Sequence, residues 1–282
     1  MNDQINVIGA TAPFEKETYD EMVKYSNRYK DYHNNIIVEI GSSDNSYYLN
    51  EPLSSKFTGI LLDGSSQKLS TYTNPRFKTV CKMITPENVC SILSENNIPE
   101  DFYMLNLDID GLDFFTLISI LKKYKPKVII TEFNEKIPYP FKYSIKNDSN
   151  FTWGWCHNYG YSVACIKDVM INFGYSIDSL NVNNIYLSRI DDGSLPNIDD
   201  VGKLYKSGYI DKKSWVDDNY QPWNKDVNHF HLCETEEEME ESFREYFTNN
   251  LNVNNGKSMI DELDKYLMNN SYEEYFINFI KK

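Results

Sequence analysis

Apolar positions along the chain recur in two periods, and the period switches from segment to segment. Phe14, Met22, Tyr25, Tyr29 and Tyr32 lie at helical spacings and predict an amphipathic helix over 13–33, opened by Pro13 close behind Thr11. Ile36-Ile37-Val38-Glu39-Ile40 is a β-branched run closed by Gly41, the pattern of a buried strand running into a tight turn. Further strands are predicted at Phe57–Leu62, ending on Asp63-Gly64, at Phe77–Met83, at Phe102–Asp108 and at Val128–Phe133. Between them, Thr85-Pro86-Glu87 opens a helix running to Asn97, and Gly111–Tyr124 is helical with Leu117, Ile118, Ile120 and Leu121 on its buried side. A long loop at 135–158, a helix over 160–173 and short strands at 175–179 and 184–189 complete the pattern.

Strands alternating with helices at this rhythm predict a mostly parallel, seven-stranded sheet covered on both faces, an α/β doubly wound domain over 1–195. Beyond Pro196 the strands stop, acids accumulate over Glu234–Glu245, and 196–282 reads as a helical C-terminal extension, either a lid or a dimer contact. Lys and Arg number 28 against 42 Asp and Glu, a net charge of −14. That excess argues against nucleic acid and against an anionic membrane as partners. Five cysteines without a CxxC pair, no signal-like amino terminus and no apolar run of membrane-spanning length predict a cytoplasmic protein.

In an open parallel sheet, ligands bind outside the carboxyl ends of the strands. Those ends carry Glu39-Ile-Gly41-Ser42-Ser43-Asp44-Asn45, Asp63-Gly64-Ser65, Asp108-Ile-Asp110-Gly111-Leu-Asp113 and Glu132-Phe-Asn134. Gly41 allows close backbone approach, Glu39 can receive an ammonium or hydroxyl, and Asp63 is placed to accept a ribose diol. The glycine-rich dinucleotide fingerprint is incomplete, so a nucleoside bearing positive charge suits this acidic turn better than a diphosphate.

Val38–Asn45 resembles the first motif of the class I S-adenosylmethionine-dependent methyltransferases, and Asp63 matches their acid after the second strand. Leu105–Phe114 and Lys125–Asn134 look like the fourth- and fifth-strand segments of the FkbM-like and sugar O-methyltransferases. The resemblance spans residues 34–190 and implies a Rossmann-like fold with S-adenosylmethionine bound by Glu39, Gly41, Ser42, Asp44, Asp63 and Asp108. It further implies a divalent cation such as Mg²⁺ on Asp108, Glu132 and Asn134, with Asp110 as the base. His157, flanked by Trp153, Trp155 and Tyr159, is the second candidate base.

The expected activity is O-methylation of a small polar substrate such as a sugar or nucleotide-sugar. Asn45 and Asn134 depart from the family's pattern and motivate an alternative, a methyltransferase-like binding module without catalysis. A nicotinamide-dependent oxidoreductase is the third reading, opposed by the missing glycines after Gly41. His229 and His231, two residues apart, are a weaker metal pair.

Overall fold

The computed structural model describes residues 13–41, 48, 50–145, 147–148, 151, 153, 157, 159–219 and 221–249. The β-branched runs form strands because their alternating side chains find apolar cover on both faces of one sheet. In chain order the strands are β1 (Ile36–Ile40), β2 (Thr58–Asp63), β3 (Phe77–Cys81), β4 (Met104–Leu107), β5 (Val128–Glu132), β6 (Tyr175–Asn181) and β7 (Asn184–Arg189). They lie side by side in the order β3-β2-β1-β4-β5-β7-β6. β1 to β5 are mutually parallel, and β7 runs antiparallel to both β5 and β6. The chain thus winds outward from β1 to β3 and then restarts on the other side at β4. The seam between β1 and β4 is the switch point at which such sheets open a crevice.

The helices are α1 (Pro13–Arg28), α2 (Leu53–Lys56), α3 (Ser66–Leu69), α4 (Val89–Glu95), α5 (Asp113–Leu121), α6 (Ile166–Phe173), α7 (Asp200–Gly208), α8 (Lys213–Asn219) and α9 (Glu236–Asn249). One face of the sheet, with Val38, Leu62, Leu105 and Ile129, packs on α4, α5 and α6. The other face, with Ile37, Leu61, Met104 and Ile130, packs on Tyr19, Met22 and Tyr25 of α1. Alternate residues of each strand therefore enter opposite cores, as a doubly covered sheet requires.

Several predicted boundaries are corrected. α1 ends at Arg28 and not at 33. α4 begins at Val89, because Pro86–Asn88 form a turn in which Asn88 Oδ1 accepts the Thr85 N–H at 2.9 Å. α5 covers Asp113–Leu121, shorter than 111–124, and is buried nearly all round rather than along one stripe. The predicted helix over 160–173 starts only after a 3-10 turn at Val163–Cys165, since Ser162 Oγ is held by the loop, donating to Phe141 O at 2.7 Å.

The stretch after 196 is helical within the described residues and joins the main core through Val201, Tyr205, Tyr209 and Val216. A further cluster links Val227, Phe230 and Met239 to Leu112, Ile137 and Phe141 of the sheet's loops. Among the described residues no helix is long and apolar enough to cross a membrane.

Candidate active site

A cleft of about 610 Å³ opens at the carboxyl ends of β1, β2 and β4, within the roughly 300–1,000 Å³ usual for small-molecule sites. Gly41 forms its floor with φ +84°, and a Cβ there would lie 1.4 Å from the Asp108 carbonyl oxygen. Only glycine permits both that backbone conformation and that approach of the two strand ends. Asp63, at the end of β2, is buried and accepts the Ser65 N–H on Oδ1 at 2.6 Å. Phe151 and Trp153 line the opposite side, beside Asp110 and Gly111.

Three carboxylates converge at this cleft, two of them, Asp108 and Asp110, on its wall. Asp108, Asp110 and Glu132 each place an oxygen within 4.8 Å of the others. Parallel pairing of β4 and β5 brings this about, with Leu107 opposite Thr131 so that both strands end together. Asp110 has φ +54° and is the exposed member; Glu132 is 7% exposed. Asn183 Nδ2 donates to Glu132 Oε1 at 2.7 Å, whereas Glu132 Oε2 is buried without a donor. With Glu132 and Asp108 both ionised their oxygens only repel; one proton, or a cation, reconciles them.

Burial first, and the Asp110 charge second, push Asp108 up to about 7. Burial and the charges of Asp108, Asp110 and Asp113 hold Glu132 well above the usual carboxylate range. Burial also raises Asp110, against a smaller opposing pull from Lys68 at the rim. Asp113, in the first turn of α5, is raised to about 7 by burial and then by the Asp108 charge. Its two oxygens accept the N–H groups of Ile109 and Gly111, each at 2.8 Å, which fixes the loop carrying Asp108 and Asp110.

The other predicted site residues fall elsewhere. Glu39 is buried beneath the cleft and does not line it; Tyr48 Oη and Asn106 Nδ2 (2.8 Å) donate to its Oε2, and burial lifts it to about 7. Its Oε2 therefore serves as an acceptor within the core. Asn134 is engaged likewise, since its amide holds the loop. Nδ2 donates to the carbonyls of His157 and Tyr159 at 2.8 and 3.0 Å, and Oδ1 accepts from Lys136 N at 3.3 Å. His157 is buried with its ring edge-on to Tyr246 (5.2 Å) and does not line the cleft. Ser42 and Asp44 lie outside the described residues. His229 meets Phe230 edge-to-face, and His231 faces Tyr205 Oη at 3.5 Å; neither joins the carboxylate group.

Asp113, Asn183 and the buried Glu135–Lys136 pair (2.8 Å) went unassigned in the sequence. The spacing Asp108-x-Asp110-x-x-Asp113 carried a usable signal for the first, because an acid in a helix's first turn reaches back to preceding N–H groups.

No protein-family model and no curated protein matches the chain. Among solved structures, it is similar to a protein named as a hemolysin from Streptococcus thermophilus at 12% identity and TM-score 0.40, covering 70% of this chain and 74% of that one. A protein named as a hemolysin from Lactococcus lactis aligns at 12% identity and TM-score 0.39, covering 66% and 95%. One named as an S-adenosylmethionine-dependent methyltransferase from Listeria monocytogenes aligns at 11% identity and TM-score 0.39, covering 62% and 99%. Likeness at this level does not decide what the chain does; its own residues must.

Proposed function

We propose that the chain is an S-adenosylmethionine-dependent methyltransferase that acts on a hydroxyl of a small polar acceptor, with a divalent cation held by Asp108 and Glu132 and with Asp110 beside it as the base. The observation that carries the reading is the site at the β1–β4 seam. A glycine-floored cleft with Asp63 on one wall meets three converging carboxylates, one of which keeps a buried oxygen without a donor. Asp63 suits a ribose, whose diol donates to the oxygen not engaged by Ser65. The acidic surroundings suit a sulfonium better than a phosphate.

The donor set fits a hard cation, because it is all oxygen and its mutual repulsion is relieved by positive charge. A bound Mg²⁺ would lower the pKa of an acceptor hydroxyl. Asp110, the exposed member, is the residue placed to take that proton. Phe151 and Trp153 offer apolar faces to a ring-shaped acceptor such as a sugar or nucleotide-sugar. Asp113 and Asn183 keep the acids in place, and the stretch after 196 completes the fold as a helical extension.

Calorimetric titration with S-adenosylhomocysteine, with and without Mg²⁺, tests the reading. Micromolar binding is expected. Absence of binding in both conditions favours the second reading, a non-catalytic binding module. The specific observation on that side is Glu39, whose carboxylate is committed to Tyr48 and Asn106 in the core.

A further inference from the structure

The β6–β7 hairpin turns in two residues, Val182 and Asn183, because Asn181 pairs with Asn184. Val182 has φ +54°, an outlying conformation for a β-branched residue and a position where such turns favour glycine. Its side chain is buried in the main core. Three contacts from beyond residue 196 hold the turn. The Val182 N–H donates to the Gly208 carbonyl at the end of α7 at 3.1 Å. Gly208 packs so tightly on the turn that an added Cβ would lie 2.2 Å from Leu180 O. Lys212 Nζ donates to Asn181 Oδ1 at 2.7 Å. Strain of this kind persists only where the surroundings over-determine it.

What the turn presents is Asn183. Its carbonyl accepts the Phe133 N–H at 2.8 Å, and its Nδ2 donates to Glu132 Oε1 at 2.7 Å. Both bonds grip the end of β5, which carries the most buried acid of the cluster. An amide N–H can only donate, so Oε1 stays an acceptor, and the proton or cation is directed to Oε2. With Oε1 engaged by Asn183, the buried Oε2 is the oxygen left for the cluster. We infer that Asn183 is a positioning residue that aims Glu132 Oε2 into the cluster, and that α7 serves the site by clamping the turn that carries it. The inference rests on the cation reading proposed above.

The test is Mn²⁺ calorimetry on the full chain, paired with melting of the metal-free protein. Wild type is expected to bind Mn²⁺. Asn183→Ala is expected to weaken that binding about 10–100-fold, the usual effect of losing a group that orients a metal ligand. Val182→Gly keeps the amide, and should hold the affinity within about twofold even though it empties a buried position of the core. A merely structural Asn183 would lower melting and leave the affinity of the folded protein unchanged, which overturns the inference. If wild type takes up no Mn²⁺, the cation reading itself has failed and Asn183 loses its role with it. If Asn183→Ala does not fold, Asn183→Ser, too short to span to Glu132, is read in the same way.

Discussion

Replacing Gly41 by alanine would place a methyl group 1.4 Å from the Asp108 carbonyl and force an L residue to φ +84°. The β1 and β4 ends would have to part, and their separation sets the cleft. Gly41→Ala is expected to lose about 3 kcal/mol or more in urea denaturation, the range of a strained backbone plus a clash. It should also abolish binding of S-adenosylhomocysteine. Glu132→Gln acts in the opposite sense on stability. A glutamine amide donates to Asp108 at any pH, whereas the native side chain does so only while it holds its proton. The metal-free variant is therefore expected to melt higher than wild type at pH 8, and to bind Mn²⁺ at least about tenfold more weakly. A variant that melts higher and keeps full Mn²⁺ affinity would remove Glu132 from the cation site.

At the scale of elements, the loop after β5 carries a buried ion pair and is bonded to α7 beside it. Glu135 and Lys136 meet at 2.8 Å with side chains 0% and 4% exposed. Tyr159 Oη donates to Glu135 Oε2 at 3.0 Å, and Tyr205 of α7 donates to the Glu135 carbonyl at 2.7 Å. Lys136→Met leaves Glu135 buried without its counter-charge and is expected to cost about 3–5 kcal/mol by denaturant unfolding. The neutral pair Glu135→Gln with Lys136→Met should recover most of that loss, because no unpaired charge remains. If single and double variants unfold alike, the pair contributes packing and not electrostatics.

This pair also marks where sequence reasoning stops. Glu135-Lys136 reads as solvated loop, and nothing local says that Tyr159 and Tyr205 will enclose it. Asn183 is hidden for the same reason, since its partner Glu132 is 51 residues away across a hairpin. The strands were legible because β-branched runs such as Ile36–Ile40 and Val128–Glu132 bury nearly all their residues in a doubly covered sheet. Convergence of Asp108, Asp110 and Glu132 was legible too, because neighbouring parallel strands bring their carboxyl ends together. The hydrogen bonds of Glu39 and Asn134 were not legible, because position at a strand end does not reveal which way a side chain turns. Tyr48, Asn106 and the carbonyls of the 157–159 loop decided that.

At the scale of the whole molecule, the site makes stability depend on pH in a direction opposite to ordinary acid denaturation. Glu39, Asp108 and Asp113 are held up to about 7, and Asp110 and Glu132 are raised as well. Unfolded, these groups titrate near 4. The fold therefore favours their protonated forms, and that contribution is complete at low pH and lost as pH rises through about 7. His231 runs the other way. Burial first, and then Lys213, lower it to about 4, so its contribution is lost as pH falls below the ordinary histidine value of roughly 6.5. Asp101 and Asp191, lowered by Arg189 and other partners against opposing burial, have finished titrating well below that range. Between pH 6.5 and 8.5 the raised acids decide the slope, and the metal-free protein is expected to melt lower by at least about 3 °C at the alkaline end.

A divalent cation displaces the same protons, so the rise in melting temperature given by Mg²⁺ should be larger at pH 8.5 than at pH 6.5. With 28 basic against 42 acidic residues, added salt also stabilises the chain by screening self-repulsion. NaCl at matched ionic strength supplies that part alone, and Glu132→Gln should retain it while losing the remainder. Equal stabilisation by Mg²⁺ and NaCl in wild type would mean that the three carboxylates share a proton and hold no ion.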